Sequence, residues 1–385
     1  MLKYMTMKTQ LYKITGNRGL FDEQEIYKKL SAIGNPLEKT SKVIDFELFR
    51  KTLEDGVLTK DKKNNAGAKP FDVVMMFKIL ILQRYYGLGD TQVEYQILDR
   101  LSFKKFLGLE SGDKVPDEKT VWAFREILTK KGVVEKLFNE FRDYLESKGL
   151  IINEGKIIDA SFTLAPRQRN TREENKIIKE GRGNELWNDQ PHKKRHKDID
   201  ARWTKKNNET FYGYKNHAKI DNKSKFIDKY KVTDASVHDS QPLNDLLTEE
   251  DKGQDLYADS AYTGDEQEKV VSKYEMNNCV NEKGYRNTPL TNGQKENNTI
   301  KSKTRARVEH VFNFIVYWLH LNKTQTSLVL YSGCTIFGFM EQSMNGLALR
   351  SVGIKRAKGI IGLINFTYNI FRYEQVVRLN ILEIK

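Results

Sequence analysis

A chain of 385 residues exceeds what one hydrophobic core serves, since cores stop growing near about 250–300 residues, so two or three domains are expected. With 38% hydrophobic and 30% charged residues it reads as soluble and globular. The 65 Lys and Arg against 52 Asp and Glu leave a net charge of +13, which favours a polyanionic partner through counterion release; a basic protein without a nucleic-acid role has the same balance.

Cys279 and Cys334 are the only cysteines, which excludes a disulfide framework or a zinc cluster and fits a reducing compartment. The opening Met1-Leu2-Lys3-Tyr4 has no apolar run with a small-residue cleavage site, so no secretory signal is expected. The longest apolar stretches, Val73–Leu82 and Phe314–Leu321, fall short of the roughly 18–20 residues that cross a membrane. A cytoplasmic protein with no membrane partner is expected.

In chain order, residues 1–66 form a polar, mixed N-terminal extension ending in the loop-like Lys60–Gly67. Residues 67–150 read as a helical domain. Phe71, Val74, Met75, Lys78, Ile79, Leu82 and Tyr85 keep the spacing of one core-facing stripe. Gly87-Leu88-Gly89 stops that helix, and Thr91-Gln92-Val93-Glu94 reads as a capping box opening the next. Pro116-Asp117 opens a third, with Val121, Phe124, Ile127 and Leu128 on one face. Short helices broken by tight turns suit a helix-turn-helix-like DNA-binding module and a plain bundle equally.

Near Leu150 the pattern changes. Ile151–Ala160, Phe211–Ile220, Phe226–Thr233, Leu256–Ala258 and Asn278–Val280 read as five strands, with helices at Pro242–Leu247, Asp265–Tyr274 and Lys303–Phe312. A mixed five-stranded sheet with flanking helices follows. Between the first two strands, Thr163–Glu209 carries thirteen Lys or Arg and eight Asp or Glu with few aliphatics. By composition this basic insert is a solvated charged loop.

Three carboxylates suggest chemistry. Asp159 follows the apolar run Lys156-Ile157-Ile158, and Asp259 follows Leu256-Tyr257-Ala258; each sits where a strand offers its crevice to a ligand, or equally where a turn or cap uses an Asp. Glu309 flanks the apolar stripe of its helix, one turn from Arg305, with which a simple ion pair is the alternative. Two Asp and one Glu are hard oxygen ligands of the kind a pair of magnesium ions needs for in-line displacement at phosphorus.

The motifs Ile157-Ile158-Asp159-Ala160-Ser161-Phe162, Pro166-Arg167-Gln168-Arg169-Asn170, Asp234-Ala235-Ser236-Val237-His238-Asp239-Ser240, Tyr257-Ala258-Asp259-Ser260-Ala261-Tyr262 and Arg305-Ala306-Arg307-Val308-Glu309-His310 are specific. Through them, and through most of the chain, the sequence resembles DDE transposases of the insertion-sequence-five family, whose catalytic domain has a ribonuclease-H-like fold. The resemblance implies that Asp159, Asp259 and Glu309 form a metal-binding catalytic triad for two Mg2+ ions, with Mn2+ as a substitute. Arg305 matches the family's arginine that grips the DNA backbone, and Arg167, Arg169, Lys193, Lys194, Arg195, Arg202, Lys205, Lys206 and Lys215 become phosphate contacts. His238 and Asp239 would lie near the site without a catalytic step of their own.

The implied reaction is hydrolysis at the transposon end, then attack of the freed 3′ hydroxyl on target DNA. Double-stranded DNA (terminal inverted repeats and target) is the implied partner, with a homodimer assembled on the paired ends and a nucleoid-associated location. Residues 67–150 would bind DNA ends or dimerise, 151–312 would be the catalytic domain and 338–385 its helical completion.

The sequence departs from the family at three points. Ser302 stands where a tyrosine precedes the arginine, and Val316 where a lysine follows the glutamate. An atypical insert, residues 313–337, separates Phe312 from Gly338; with it removed, Glu341 takes the lysine position. Its β-branched and aromatic residues suit either a β-hairpin or a lengthened catalytic helix. The alternatives to an active transposase are a fold-retaining DNA-binding protein, inactivated by this insert, and a Mg2+-dependent DNA nuclease.

Overall fold

The computed structural model describes residues 22–58, 69–206, 208–319, 349 and 351–381, with side chains as far as Arg305 in the helix that closes the third stretch. Eight helices come first among them: α1 (Asp22–Ile33), α2 (Pro36–Val43), α3 (Arg50–Val57), α4 (Val73–Tyr85), α5 (Asp90–Asp99), α6 (Leu101–Leu107), α7 (Glu118–Lys130) and α8 (Val133–Ser147). Side-chain caps start several of them. Asp72 accepts hydrogen bonds from the backbone N–H of Val74 and Met75, and Asp117 accepts from Thr120. The cap of α5 is Gly89, whose N–H donates to Gln92 Oε1, so that helix starts ahead of the expected Thr91.

The single stripe expected of α4 is not what forms. Met76, Phe77, Leu80 and Ile81 are buried as well, because α4 is surrounded. One neighbour is the long helix α14 (Ile354–Arg378), which packs on α4, α7 and α8 on one side and on the sheet on the other. Phe366 of α14 meets Phe49 at 5.2 Å, Phe77 at 5.2 Å and Phe141 at 5.4 Å between ring centroids. Leu37, Phe46, Phe49 and Leu53, from the stretch expected as an extension, belong to the same core.

The sheet has six strands rather than the five expected: β1 (Gly155–Leu164), β2 (Arg202–Lys206), β3 (Glu209–Asp221), β4 (Ile227–Asp234), β5 (Asp255–Tyr257) and β6 (Asn277–Asn278). The order is β2-β3-β1-β5-β6, with β4 also paired to β3. β1, β2 and β4 run antiparallel to β3, whereas β5 is parallel to β1 and β6 to β5. Both faces are covered, as the alternation of β1 requires: Ile157 joins the core under α14, and Ile158 joins a second core with Leu243, Leu246, Leu256 and Val271. Two short helices cover that second face, α11 (Leu243–Leu246) and α12 (Asp265–Lys273).

The sixth strand comes from the basic insert, which is not the bare loop its composition suggested. It holds α9 (Arg172–Lys179), α10 (Pro191–Arg195) and β2. Asp198, buried at its end, accepts hydrogen bonds from the Tyr214 hydroxyl at 2.8 Å and from Gly353 N–H at 3.0 Å, while Asp200 accepts from Ile354 N–H at 2.9 Å. The insert is thus fastened to the first turn of α14. Helix α13 (Asn292–Leu319) outruns the expected Lys303–Phe312 at both ends, so the first residues of the 313–337 insert lengthen a helix instead of opening a hairpin. The rest of that insert and Glu341 lie outside the described residues.

Candidate active site

β1 and β5 lie side by side and parallel, with Gly155 opposite Asp255 and Ile157 opposite Tyr257. Their pairing stops there. Asp159 and Asp259 are each two residues beyond the last pair, Asp159 still within β1 and Asp259 in the turn after β5, near enough for the charge of Asp259 to act on Asp159. Asp159 lies within β1, where it faces Ala218 of β3, and not at the strand end the sequence suggested. It lies past the last β1–β5 pair, beside the turn that carries Asp259.

Each carboxylate is oriented through one oxygen. Asp159 Oδ1 accepts from Ala160 N–H at 2.9 Å, and Asp259 Oδ1 accepts from Ala261 N–H at 2.9 Å as it caps a single 3-10 turn, Ser260–Tyr262. The second oxygen of each has no hydrogen-bond donor among the described residues, which suits a hard cation as ligand. Burial pushes the Asp159 carboxyl up to about 6, with the charge of Asp259 adding to the rise; Arg305, the Ala160 N–H and Lys206 oppose it.

Tyr262 reports the same crowding. It is buried, its hydroxyl has no hydrogen-bond partner among the described residues, and burial followed by the charges of Asp159, Asp239 and Asp259 pushes it well above its ordinary value. Asp239 is held by Lys215 at 2.7 Å and Lys206 at 3.4 Å. Burial raises its carboxyl, but the two lysines outweigh that and keep it below the usual range. His238 Nδ1 lies 2.9 Å from Ser240 Oγ, a local turn contact.

Helix α13 reaches this crevice through a relay that nothing in the sequence advertised. Asn281 N–H donates to Ala258 O at 3.2 Å, and Asn281 Nδ2 donates to Ser302 Oγ at 3.1 Å. Ser302, the departure from the family's tyrosine, is therefore a contact between the end of β5 and α13. Lys301 Nζ adds a bond to Val280 O at 3.0 Å. Arg305 follows within the same turn and acts electrostatically on Asp159. Glu309 is one helical turn beyond Arg305, about 6 Å along the axis; its side chain lies outside those described. Among the described residues no three of His, Cys, Asp and Glu converge as a metal cluster. Of the three carboxylates expected from the sequence, the side chains of Asp159 and Asp259 are among those described.

The expected DNA contacts divide into two groups. Arg167, Arg169, Arg195 and Lys205 are exposed, with Arg167 over the Trp203 ring at 5.8 Å; Lys206 is exposed as well, although it also pairs with Asp239 at 3.4 Å and lies over Phe162 at 5.8 Å. The others are engaged within the protein. Arg202 donates to the carbonyls of Ile199, Ala201 and Ile178, Lys193 pairs with Glu174 at 2.9 Å, and Lys194 donates to Asn184 O at 2.7 Å. Lys215 is buried between Asp239 and Val237 O, so it braces the site and does not face solvent.

Two protein families match the chain. The family described as Transposase domain (DUF772) matches residues 24–126, and the family described as Transposase DDE domain matches residues 153–327, a stretch that contains Asp159, Asp259 and Glu309. No solved structure matches it. No helix among the described residues is long and apolar enough to cross a membrane.

Proposed function

The chain belongs to the DDE transposases, enzymes of phosphoryl transfer on DNA that use divalent metal ions, and on that premise we propose that Asp159, Asp259 and Glu309 are its metal-binding triad. The observation that carries the reading is the register match of Asp159 and Asp259 just past the paired ends of β1 and β5, each with a carboxylate oxygen left open. Two Mg2+ ions are the proposed occupants; when bound, they supply positive charge at the scissile phosphate and acidify the attacking hydroxyl. The carboxylates of Asp159 and Asp259, fixed by backbone N–H groups, orient that charge without further reorganisation. Arg305 holds a neighbouring backbone phosphate, and the Lys215–Asp239 pair stiffens the adjoining loop.

The reaction proposed is hydrolysis at the transposon end followed by transfer of the freed 3′ hydroxyl to target DNA, both in-line displacements. The substrates would be terminal inverted repeats and target duplex, gripped by Arg167, Arg169, Arg195, Lys205 and Lys206 of the insert. Residues 67–150 would engage DNA ends or pair subunits in a homodimer, and the ancestry would be that of the insertion-sequence-five group. The test is incubation with Mg2+ and a labelled transposon-end duplex. Cleavage that falls by at least about 100-fold in Asp259→Ala is expected; salt-sensitive binding by the wild type with no cleavage contradicts the proposal.

A further inference from the structure

A cleft of about 270 Å³ opens where three parts of the chain meet: the turn between α4 and α5 with α7, the C-terminal end of α10 in the insert, and the start of α14. Its lining carries four arginines, Arg84, Arg125, Arg195 and Arg356, against two carboxylates, Asp90 and Glu126. Both carboxylates are already matched. Arg125 grips Asp90 through two bonds of 2.6 Å, and Arg356 grips Glu126 at 2.7 and 2.9 Å. Arg195 therefore adds a positive charge to the lining that neither lining carboxylate grips. The Arg195 side chain is exposed and has no ion pair or hydrogen bond to another described residue. Trp122 also lines the cleft and is 47% exposed, although it sits on a helix whose Val121, Phe124 and Leu128 are buried.

An accessible indole beside an unpartnered guanidinium, in a concavity smaller than the roughly 300–1,000 Å³ of a drug-sized site, suits a flat ring that carries an anion. We propose that this cleft binds one unpaired nucleotide of the DNA substrate, its base stacked on Trp122 and its phosphate held by Arg195. The two bidentate pairs, Arg125–Asp90 and Arg356–Glu126, form fixed walls around it. The proposal rests on the DNA-processing role of the chain and names a second place where the substrate is held.

Its position agrees. Leu349, which lines the cleft, donates its N–H to Leu164 O at 2.7 Å, and Leu164 ends the strand that carries Asp159. Five strand residues separate the two, about 16 Å. The Leu349 edge of the cleft thus meets the far end of the strand that carries Asp159, and the strand length between them corresponds to roughly five base steps. Asp198 and Asp200 fix α14 to the insert, which holds the walls in place relative to the sheet.

The test compares binding of a blunt duplex with binding of the same duplex bearing a short single-stranded 3′ extension, for wild type, Trp122→Ala, Trp122→Phe and Arg195→Ala. Base stacking on an aromatic ring is worth about five- to a hundredfold in affinity. The wild type should prefer the extended duplex by about tenfold, and Trp122→Ala should lose that preference while binding the blunt duplex as before. Trp122→Phe should recover it in part, and Arg195→Ala should weaken the extended duplex and lower the salt slope by about one charge. Unchanged melting temperatures confirm that the exposed positions tolerate the changes. Equal binding of both duplexes by the wild type, or a preference that survives Trp122→Ala, overturns the cleft while leaving the triad standing. A wild type that binds neither duplex overturns both.

Discussion

Asp159 carries the clearest consequence at the scale of single residues. Burial and the neighbouring Asp259 raise its carboxyl to about 6, above the unfolded value near 3.8. A group with a raised folded pKa stabilises the fold fully below the unfolded value and loses that contribution as pH rises through the folded one. At pH 8, in a chelator, ionised Asp159 therefore costs stability, about 1–2 kcal/mol once solvent screening at this partly exposed side chain is allowed for. Asp159→Asn should raise the melting temperature of metal-free protein at pH 8 and leave it nearly unchanged at pH 4. A calorimetric scan with no gain at pH 8 contradicts the assignment.

The aspartates were legible because each ends a short apolar run, a pattern that survives in one dimension. Their supports were not. Lys215 meets Asp239 across a span of 24 residues, and Asn281 meets Ser302 across 21, contacts created by the fold with no periodicity to mark them. Tyr262 read as part of a motif, and only the packed structure shows its hydroxyl buried among three carboxylates.

Among the elements, β3 is the one on which the sheet depends, since it pairs with β1, β2 and β4 along its 13 residues. Gly213 makes that possible. Its φ is +149°, and a Cβ there would lie 2.3 Å from Thr163 O and 2.6 Å from Ala165 N, both backbone atoms that cannot rotate away. Gly213→Ala should destabilise by about 3 kcal/mol or abolish folding, read by denaturant titration; a loss below about 0.5 kcal/mol contradicts this close packing.

The insert makes a second element-scale case. Its charge hid β2 from composition, because strands with Lys and Arg on an exposed face lack the apolar alternation that reveals a strand. Arg202 and Lys205 lie three residues apart on that strand with opposite duties. Arg202→Ala should lower the melting temperature with the salt slope of DNA binding unchanged, and Lys205→Ala should do the reverse, lowering the slope by about one. Equal behaviour of the two variants would remove the distinction between bracing and contacting residues.

On the scale of the whole molecule, α14 decides the architecture. It is buried on nearly every side, and its Asn365 and Asn369 bond to Asn216 of β3 and to Ile227 of β4. A helix so enclosed has no solvent-facing stripe for a sequence pattern to mark, so its helical character was expected from the resemblance alone and its central place from nothing in the sequence. Through it the helices of residues 36–147 and the sheet share one core, and Asp198 and Asp200 bind the insert to its first turn. The surplus of +13 charges then acts on a shape held together around the crevice of Asp159 and Asp259.

The central claim is that Asp159, Asp259 and Glu309 ligate the same divalent ions, and anomalous scattering from crystals grown with Mn2+ tests it most directly. The account predicts metal peaks about 2.1 Å from carboxylate oxygens of all three residues. Metal bound at the aspartates with the Glu309 carboxylate more than about 10 Å from it, beyond any coordination bond, would contradict the account.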